Sequence, residues 1–257
     1  MKKARAAGLS IISITDHDTT AGVDAARSAA RDAGVELVPG IEITAVESGR
    51  ETHILGYFID TGSAPLQSFL ERQRADRLRR VGEIRDRLSA LGCPIDASGI
   101  LEDARRGKSV GRPQIANALL EAGHVQTRDE AFDRFLNVSG PAYVARRAVP
   151  AAAVTQLIHR AGGIASLAHP GSTPRDHLIP ALAADGLDAI EARHSDHDAP
   201  TEAKYRRLAG ELGLAVSGGS DFHGEMAGHG VSKLGLVTLP ADDFERLRTR
   251  HHRIAAK

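Results

Sequence analysis

Short apolar, β-branched runs that meet a histidine or an acid at one end, with helical stretches between them, restrict this chain to an α/β fold more firmly than any other feature. The first is Leu9-Ser10-Ile11-Ile12-Ser13-Ile14, followed by Thr15-Asp16-His17-Asp18-Thr19 and an Ala-rich helical stretch. Strand, polar tip, helix is the pattern of a βα loop. In a parallel α/β fold such loops carry chemistry, because the rigid strand fixes the backbone that presents the reactive groups. His17, between two carboxylates, reads as a metal ligand or an acid–base group. The simpler alternative is that Asp16 or Thr19 caps the helix and His17 is an exposed loop residue.

Similar ends recur down the chain. Val38-Pro39-Gly40-Ile41-Glu42 ends a second run in a carboxylate, and His53-Ile54-Leu55-Gly56-Tyr57 opens a third with a histidine. Ser166-Leu167-Ala168-His169-Pro170 ends a fourth in a histidine, and Ser217-Gly218-Gly219-Ser220-Asp221-Phe222-His223 ends the last with an acid and a histidine together. Four of the twelve histidines and two acids therefore stand at strand ends, where they can converge; scatter over loops and helix faces would not favour that.

At 257 residues the chain has room for one large α/β domain or two ordinary ones. Lys plus Arg and Asp plus Glu are equal at 33 each, which argues against a globally basic nucleic-acid binder and leaves a local basic groove open. No apolar run approaches the ~20 residues of a membrane span. Met1-Lys2-Lys3 leads into helix formers ended by Gly8 rather than into a signal peptide, and Cys93 has no second cysteine to pair with, so a cytoplasmic location is expected.

The Ala-rich helix spans about 19–33 and ends at Gly34. The second strand covers 35–43, with Gly40 permitting a close backbone approach and Glu42 at its tip as a ligand or, alternatively, an exposed strand-end acid. Composition shifts at 61–65. Leu66, Phe69, Leu70, Leu78, Val81, Ile84, Leu88 and Leu91 then recur at helical spacing, and further helices follow at about 98–106, 113–122 and 128–136. Residues 65–150 are thus expected to be a helical insertion in a strand-bearing domain of 1–64 and 151–257. The run Arg72, Arg74, Arg77, Arg79, Arg80 is a solvated face or, over a pocket, a steering surface for a polyanion. Pro113 places Arg112 at a helix start, suited to a phosphate or simply an ordinary first turn. Strands are expected at 164–168, 187–191 and 214–218, a short extended segment at 234–239, and a closing helix at 241–250 with a frayed His251-His252-Arg253 tail.

Thr15-Asp16-His17-Asp18-Thr19, Gly40-Ile41-Glu42, the His53 run, Ala168-His169-Pro170 and Ser220-Asp221-Phe222-His223, in this order, resemble the PHP (polymerase and histidinol phosphatase) family. Within it the pattern is most similar to a bacterial branch of nucleoside 3′,5′-bisphosphate phosphatases and a related 5′-to-3′ exoribonuclease. That branch carries an inserted helical domain with a Gly-Arg-Pro, matched by Gly111-Arg112-Pro113, and a histidine after the sixth strand, matched by His194. The resemblance covers nearly the whole chain and implies a distorted seven-stranded (β/α) barrel holding up to three divalent metals, with Mn first and Fe or Zn as alternatives. Glu42 would bridge two metals, joined at one by Asp221 and at the other by His53 and His169. A third site would use His17 and His223. By the same resemblance Arg112 and His194 bind the substrate phosphate, and a metal-activated hydroxide, served by His17, Asp221 and His223, attacks phosphorus in line. Mixed imidazole and carboxylate donors suit such metals.

Family members open with a strand bearing His-x-His, then an acid and a helix; this chain opens inside that helix. The expectation is a barrel without its first strand, two sites with only two ligands each, and a chain that is nearly inactive until extended upstream. The implied activity is hydrolysis of nucleotide phosphoesters, with a nucleotide or short RNA as substrate and no membrane or stable protein partner. A truncated, non-catalytic barrel that binds metal or nucleotide is the other reading.

Overall fold

In the computed structural model, which describes residues 1–172, 175–224 and 234–255, the apolar runs become six strands of one sheet. These are β1 (Ile11–Ile14), β2 (Glu36–Glu47), β3 (Arg50–Tyr57), β4 (Ile164–Leu167), β5 (Ala189–His194) and β6 (Ala215–Gly219), in the spatial order of the chain. The sheet is mixed, which corrects the all-parallel expectation. β1 and β2 are parallel, β3 is antiparallel to both β2 and β4, and β4, β5 and β6 are parallel. Ser48 and Gly49, both with positive φ, make a two-residue hairpin between β2 and β3, and a primed turn of this kind matches the twist of the strands it joins. The hairpin draws β2 on to Glu47, so Glu42 sits within a paired strand opposite Leu55 rather than at a free tip.

The sheet curls into a half-barrel. Strands two apart in a flat sheet are separated by ~9.6 Å, yet Ser166 of β4 and Ser217 of β6 share a hydrogen bond of 2.8 Å across β5. Only curvature toward that face lets them meet. Flanking helices include α1 (Lys2–Ala6), α2 (Ala21–Ala33), α7 (Ala151–Arg160), α8 (Ile179–Ala184), α9 (Ala199–Glu211) and α10 (Ala241–Ala255). Gly8 and Gly34 take left-handed φ just past α1 and α2, as helix stops require. Residues 234–237 form turns and bends, and no strand forms over 234–239, where an extended segment was expected. The supposedly frayed tail is helical: His251 stacks on Phe58 at 4.7 Å and its Nε2 lies 2.9 Å from the Gly162 carbonyl, contacts that extend α10 beyond residue 250.

By contact density the chain divides into Met1–Gln67 with Ala148–Lys257, and Ser68–Arg147. The described residues between β3 and α7 hold helices and no strand: α3 (Ala64–Ala90), α4 (Ser98–Arg105), α5 (Arg112–Glu121) and α6 (Arg128–Ala131), the last continuing as a π turn over Phe132–Leu136. Val81, Ile84, Leu88, Ile115, Leu119 and Leu136 form the core of this helical unit. The Arg run of α3 is divided: Arg72 and Arg74 are exposed, as a solvated face requires, and the other three are held by partners. Arg77 and Arg80 are buried and bond Ser109 Oγ (2.7 Å) and the Val144 carbonyl (3.2 Å), while Arg79 pairs with Asp76 and Glu83. Arg80, and Arg79 through the Ala145 carbonyl, fasten the 143–147 loop to α3. No helix among the described residues is long and apolar enough to cross a membrane.

Candidate metal centre

The centre is built outward from Glu42, which is 3% exposed. Parallel pairing between β1 and β2 resumes past the end of β1: the Glu42 N–H donates to the Asp16 carbonyl (3.2 Å) and the Asp18 N–H to the Glu42 carbonyl (2.8 Å). That pins His17 beside Glu42. Asp18, with φ 53°, accepts the Thr44 N–H on its Oδ1 (3.2 Å) and so serves the backbone. Gly40 is required here, because a Cβ on it would stand 2.3 Å from Ser13 Oγ and hold β1 away.

His53 lies opposite Thr44 and therefore shares Glu42's face of the β2–β3 ladder, one diagonal step away. The Ser48-Gly49 hairpin carries β3 back to Arg50, so His53 is the fourth residue of its strand rather than its opening one, whereas His169 follows the end of β4; the two reach the same rim because β3 runs antiparallel to β4. The Ala168 N–H donates to the His53 carbonyl (3.0 Å), extending the pairing up to His169. On β5 a register shift between Glu191 and Arg193 makes a bulge. Without it, alternation would send Glu191 and His194 to opposite faces; with it, both approach His169, Glu191 through a 2.8 Å hydrogen bond and His194 through a 5.5 Å ring contact. Ser195 Oγ donates to the Ser220 carbonyl (2.7 Å), which brings Asp221 beside His194.

Three donor atoms crowd one point. His53 Nδ1 is 2.7 Å and His169 Nε2 3.3 Å from Glu42 Oε1, and the two nitrogens are 3.2 Å apart. Ligands ~2.1 Å from a common cation stand ~3.0 Å apart in an octahedron and ~3.4 Å apart in a tetrahedron. Two of the three edges, 3.2 and 3.3 Å, fall in that range, and the third, at 2.7 Å, is the length of a hydrogen bond between His53 and Glu42. His17 Nδ1 approaches the other oxygen, Oε2, at 3.6 Å, and ligand atoms of His17, Glu42 and His53 all lie within 4.8 Å of one another. Buried His194 Nε2 has no hydrogen-bond partner among the described residues, as a group waiting on a ligand would.

A second, looser pole adjoins the first. Asp221 has one oxygen 3.6 Å from His194 Nε2 and the other 3.5 Å from His223 Nδ1, and the His223 ring is 6.0 Å from that of His17. Asp18, His169 and Asp221 are three of five described non-glycine residues with positive φ, so backbone strain concentrates at this rim.

Electrostatics separate the two kinds of donor. Burial pushes Glu42 up, but hydrogen bonds and charge from His169, His53 and His17 outweigh it and hold the carboxyl well below its ordinary range. Burial pulls His169 down, and Glu42's hydrogen bond and charge raise it to about 9 regardless. His17 is lowered, chiefly by burial, and Asp16 is raised for the same reason. Burial lifts Glu191 to about 7.

Of the sequence candidates, His17, Glu42, His53, His169, His194, Asp221 and His223 come together at one rim of the sheet. Arg112 belongs to the helical unit. It starts α5 after Gly111, and its guanidinium bonds the Leu136 carbonyl (3.3 Å) and lies 5.5 Å over the Tyr143 ring. Sequence reasoning passed over Glu191, although Leu187-Asp188-Ala189-Ile190-Glu191 ends an apolar run in a carboxylate just as the Glu42 run does.

No family model matches the sequence. The chain is 34% identical over 229 residues to a 5′-3′ exoribonuclease of Haemophilus influenzae, an alignment covering 86% of this chain and 82% of that protein. It is 31% identical over 227 residues to a 3′,5′-nucleoside bisphosphate phosphatase of Chromobacterium violaceum, covering 86% and 79%. The chain belongs to a PHP-like family of phosphoester hydrolases. A family member of known structure, described as a metal-dependent phosphoesterase from Bifidobacterium adolescentis, superposes with a TM-score of 0.84 at 33% identity over 96% of this chain and 88% of the other. The Glu42 cluster is the PHP-like enzyme's candidate site for a divalent metal.

Proposed function

We propose that this enzyme hydrolyses phosphate esters of nucleotides, either nucleoside 3′,5′-bisphosphates or the 5′-phosphorylated ends of RNA, at a divalent-metal centre on Glu42. The observation that carries the reading is the meeting of two histidine nitrogens and one carboxylate oxygen at 2.7–3.3 Å on the rim of the sheet. In our reading Glu42, His53 and His169 hold one cation, Glu42 with Asp221 a second, and His17 with His223 a third, with manganese as the working metal. Cations so placed lower the pKa of water and neutralise phosphoester charge.

The protein's own groups prepare the rest. His17 is kept neutral by burial, so a ring nitrogen retains a lone pair for ligation. The Asp196 N–H donates to His194 Nδ1 (3.1 Å), which assigns the ring hydrogen to Nε2, 3.6 Å from Asp221. That buried N–H is a donor for a phosphate oxygen. On the likeness of Gly111-Arg112-Pro113 to the family pattern, Arg112 is in the same reading a phosphate-binding residue, its planar guanidinium suited to a bidentate contact.

The test is release of inorganic phosphate from a nucleoside 3′,5′-bisphosphate, and of nucleotides from a 5′-phosphorylated oligoribonucleotide, in Mn2+, Fe2+, Zn2+ or EDTA. Metal-dependent hydrolysis of either substrate, abolished by EDTA, is expected. Tight Mn2+ binding with no turnover of either would replace the enzymatic reading with the non-catalytic one.

A further inference from the structure

The loop that carries His169 is strained and is held by two acceptors from the next strand and its loop. His169 has φ 25°, a conformation that side-chain-bearing residues rarely adopt and that neighbours must over-determine. Its N–H donates to Glu191 Oε2 at 2.8 Å, and Glu191 is 5% exposed. Two residues on, the Gly171 N–H donates to His197 Nε2 at 3.0 Å. His197 is set in turn by its Nδ1–H, which donates to the Ala192 carbonyl at 2.9 Å, and by ring contacts with His194 at 5.3 Å and Tyr205 at 5.5 Å. Gly171 fits under this ring because it lacks a Cβ; one built there would lie 2.6 Å from the imidazole.

We propose that Glu191 and His197 are positioning residues for the metal centre, clamping the strained His169 backbone so that Nε2 is presented to Glu42 before any cation arrives. The inference rests on the reading of His169 as a ligand. Neither clamp is among the donor atoms at Glu42 Oε1. Both act on backbone N–H groups of the 169–171 loop, one at each end of it. An acidic side chain buried to serve a backbone N–H is costly to keep. Presetting a ligand repays the cost, because metal affinity depends on how completely the site is formed beforehand.

The experiment is titration of the metal-free full chain with Mn2+ alone, read by calorimetry and by free-Mn2+ electron paramagnetic resonance, with thermal melts of every variant in EDTA. His169→Ala is the reference for loss of the ligand. Glu191→Leu and His197→Leu are expected to weaken Mn2+ binding ~10- to 100-fold, the range of outer-shell changes elsewhere. Glu191→Gln keeps an acceptor for the His169 N–H and should return to within ~3-fold of the parent. Gly171→Ala keeps the Glu191 clamp but drives a Cβ against the His197 ring, displacing the second clamp, and should weaken binding ~10-fold. Lower melting temperatures with parental Mn2+ affinity in Glu191→Leu and His197→Leu would overturn the clamp and leave the site reading standing. If His169→Ala bound Mn2+ like the parent, the ligand reading itself would fall.

Discussion

The two poles of the candidate site use the same residue types under different constraint. At Glu42 the carboxylate is 3% exposed and lies between neighbouring strands, so His17, His53 and His169 reach it from three elements at 2.7–3.6 Å. At Asp221 the carboxylate side chain is 37% exposed, leaves the end of β6 on a strained φ of 46°, and has its two histidines at 3.5 and 3.6 Å. A sheet ladder fixes the first pole; a loop fixes the second. Donor geometry is therefore set in advance at Glu42, and metal affinity follows preset geometry.

The largest effect should separate the poles directly. Glu42→Gln is expected to lower Mn2+ affinity and phosphate release by more than ~100-fold, since even outer-shell changes cost 10- to 100-fold. Asp221→Asn should cost at least ~10-fold less in affinity than Glu42→Gln, because it disturbs the less preset pole. Equal losses of bound Mn2+, measured by metal analysis after dialysis, would show that the centre is one cooperative unit.

A smaller effect comes from pH. His169 is raised to about 9 beside Glu42, above its ordinary value, so its contribution to metal-free stability is complete below ~6.5 and is lost as pH rises through about 9. Glu42 is depressed, so its contribution is present above ~4.5 and is lost only in acid. In EDTA the melting temperature should fall by about 5 °C between pH 6.5 and 9.5. Mn2+ should reverse the trend over the same window, because the cation competes with a proton on His169. A melting temperature in EDTA that stayed level would mean that the tight pole is not a charged pair.

The smallest effect is a control away from both poles. His251→Ala removes the stack on Phe58 and the bond to the Gly162 carbonyl, which join α10 to the sheet. We expect a loss of ~1 kcal/mol, or ~2 °C in melting temperature, with Mn2+ affinity unchanged. A change in affinity would couple the far elements of the sheet to its rim and blur the contrast between the poles.

The α/β class, the six strands and the candidate donors were legible in the sequence, because burial imposes apolar runs of strand length and because His and acidic residues at their ends are conspicuous. Strand direction was not. Ser48-Gly49 is the local signal for a hairpin, yet only the paired register shows that β3 turns back, that Glu42 and His53 lie inside their strands, and that His53 meets His169 beyond the end of another. Arg77 and Arg80 of α3 carried only charge in the sequence and gained their partners in the folded helical unit, where Ser109 and the Val144 carbonyl take them up.

Sequence alone determined which side chains this protein can bring to a metal and a phosphate, since residue type and strand-end placement are local properties. Tertiary structure decided which of them meet. The pairing of β3 with β4 and the bulge after Glu191 are outcomes of pairing between strands separated in the chain, and local periodicity carries no record of them.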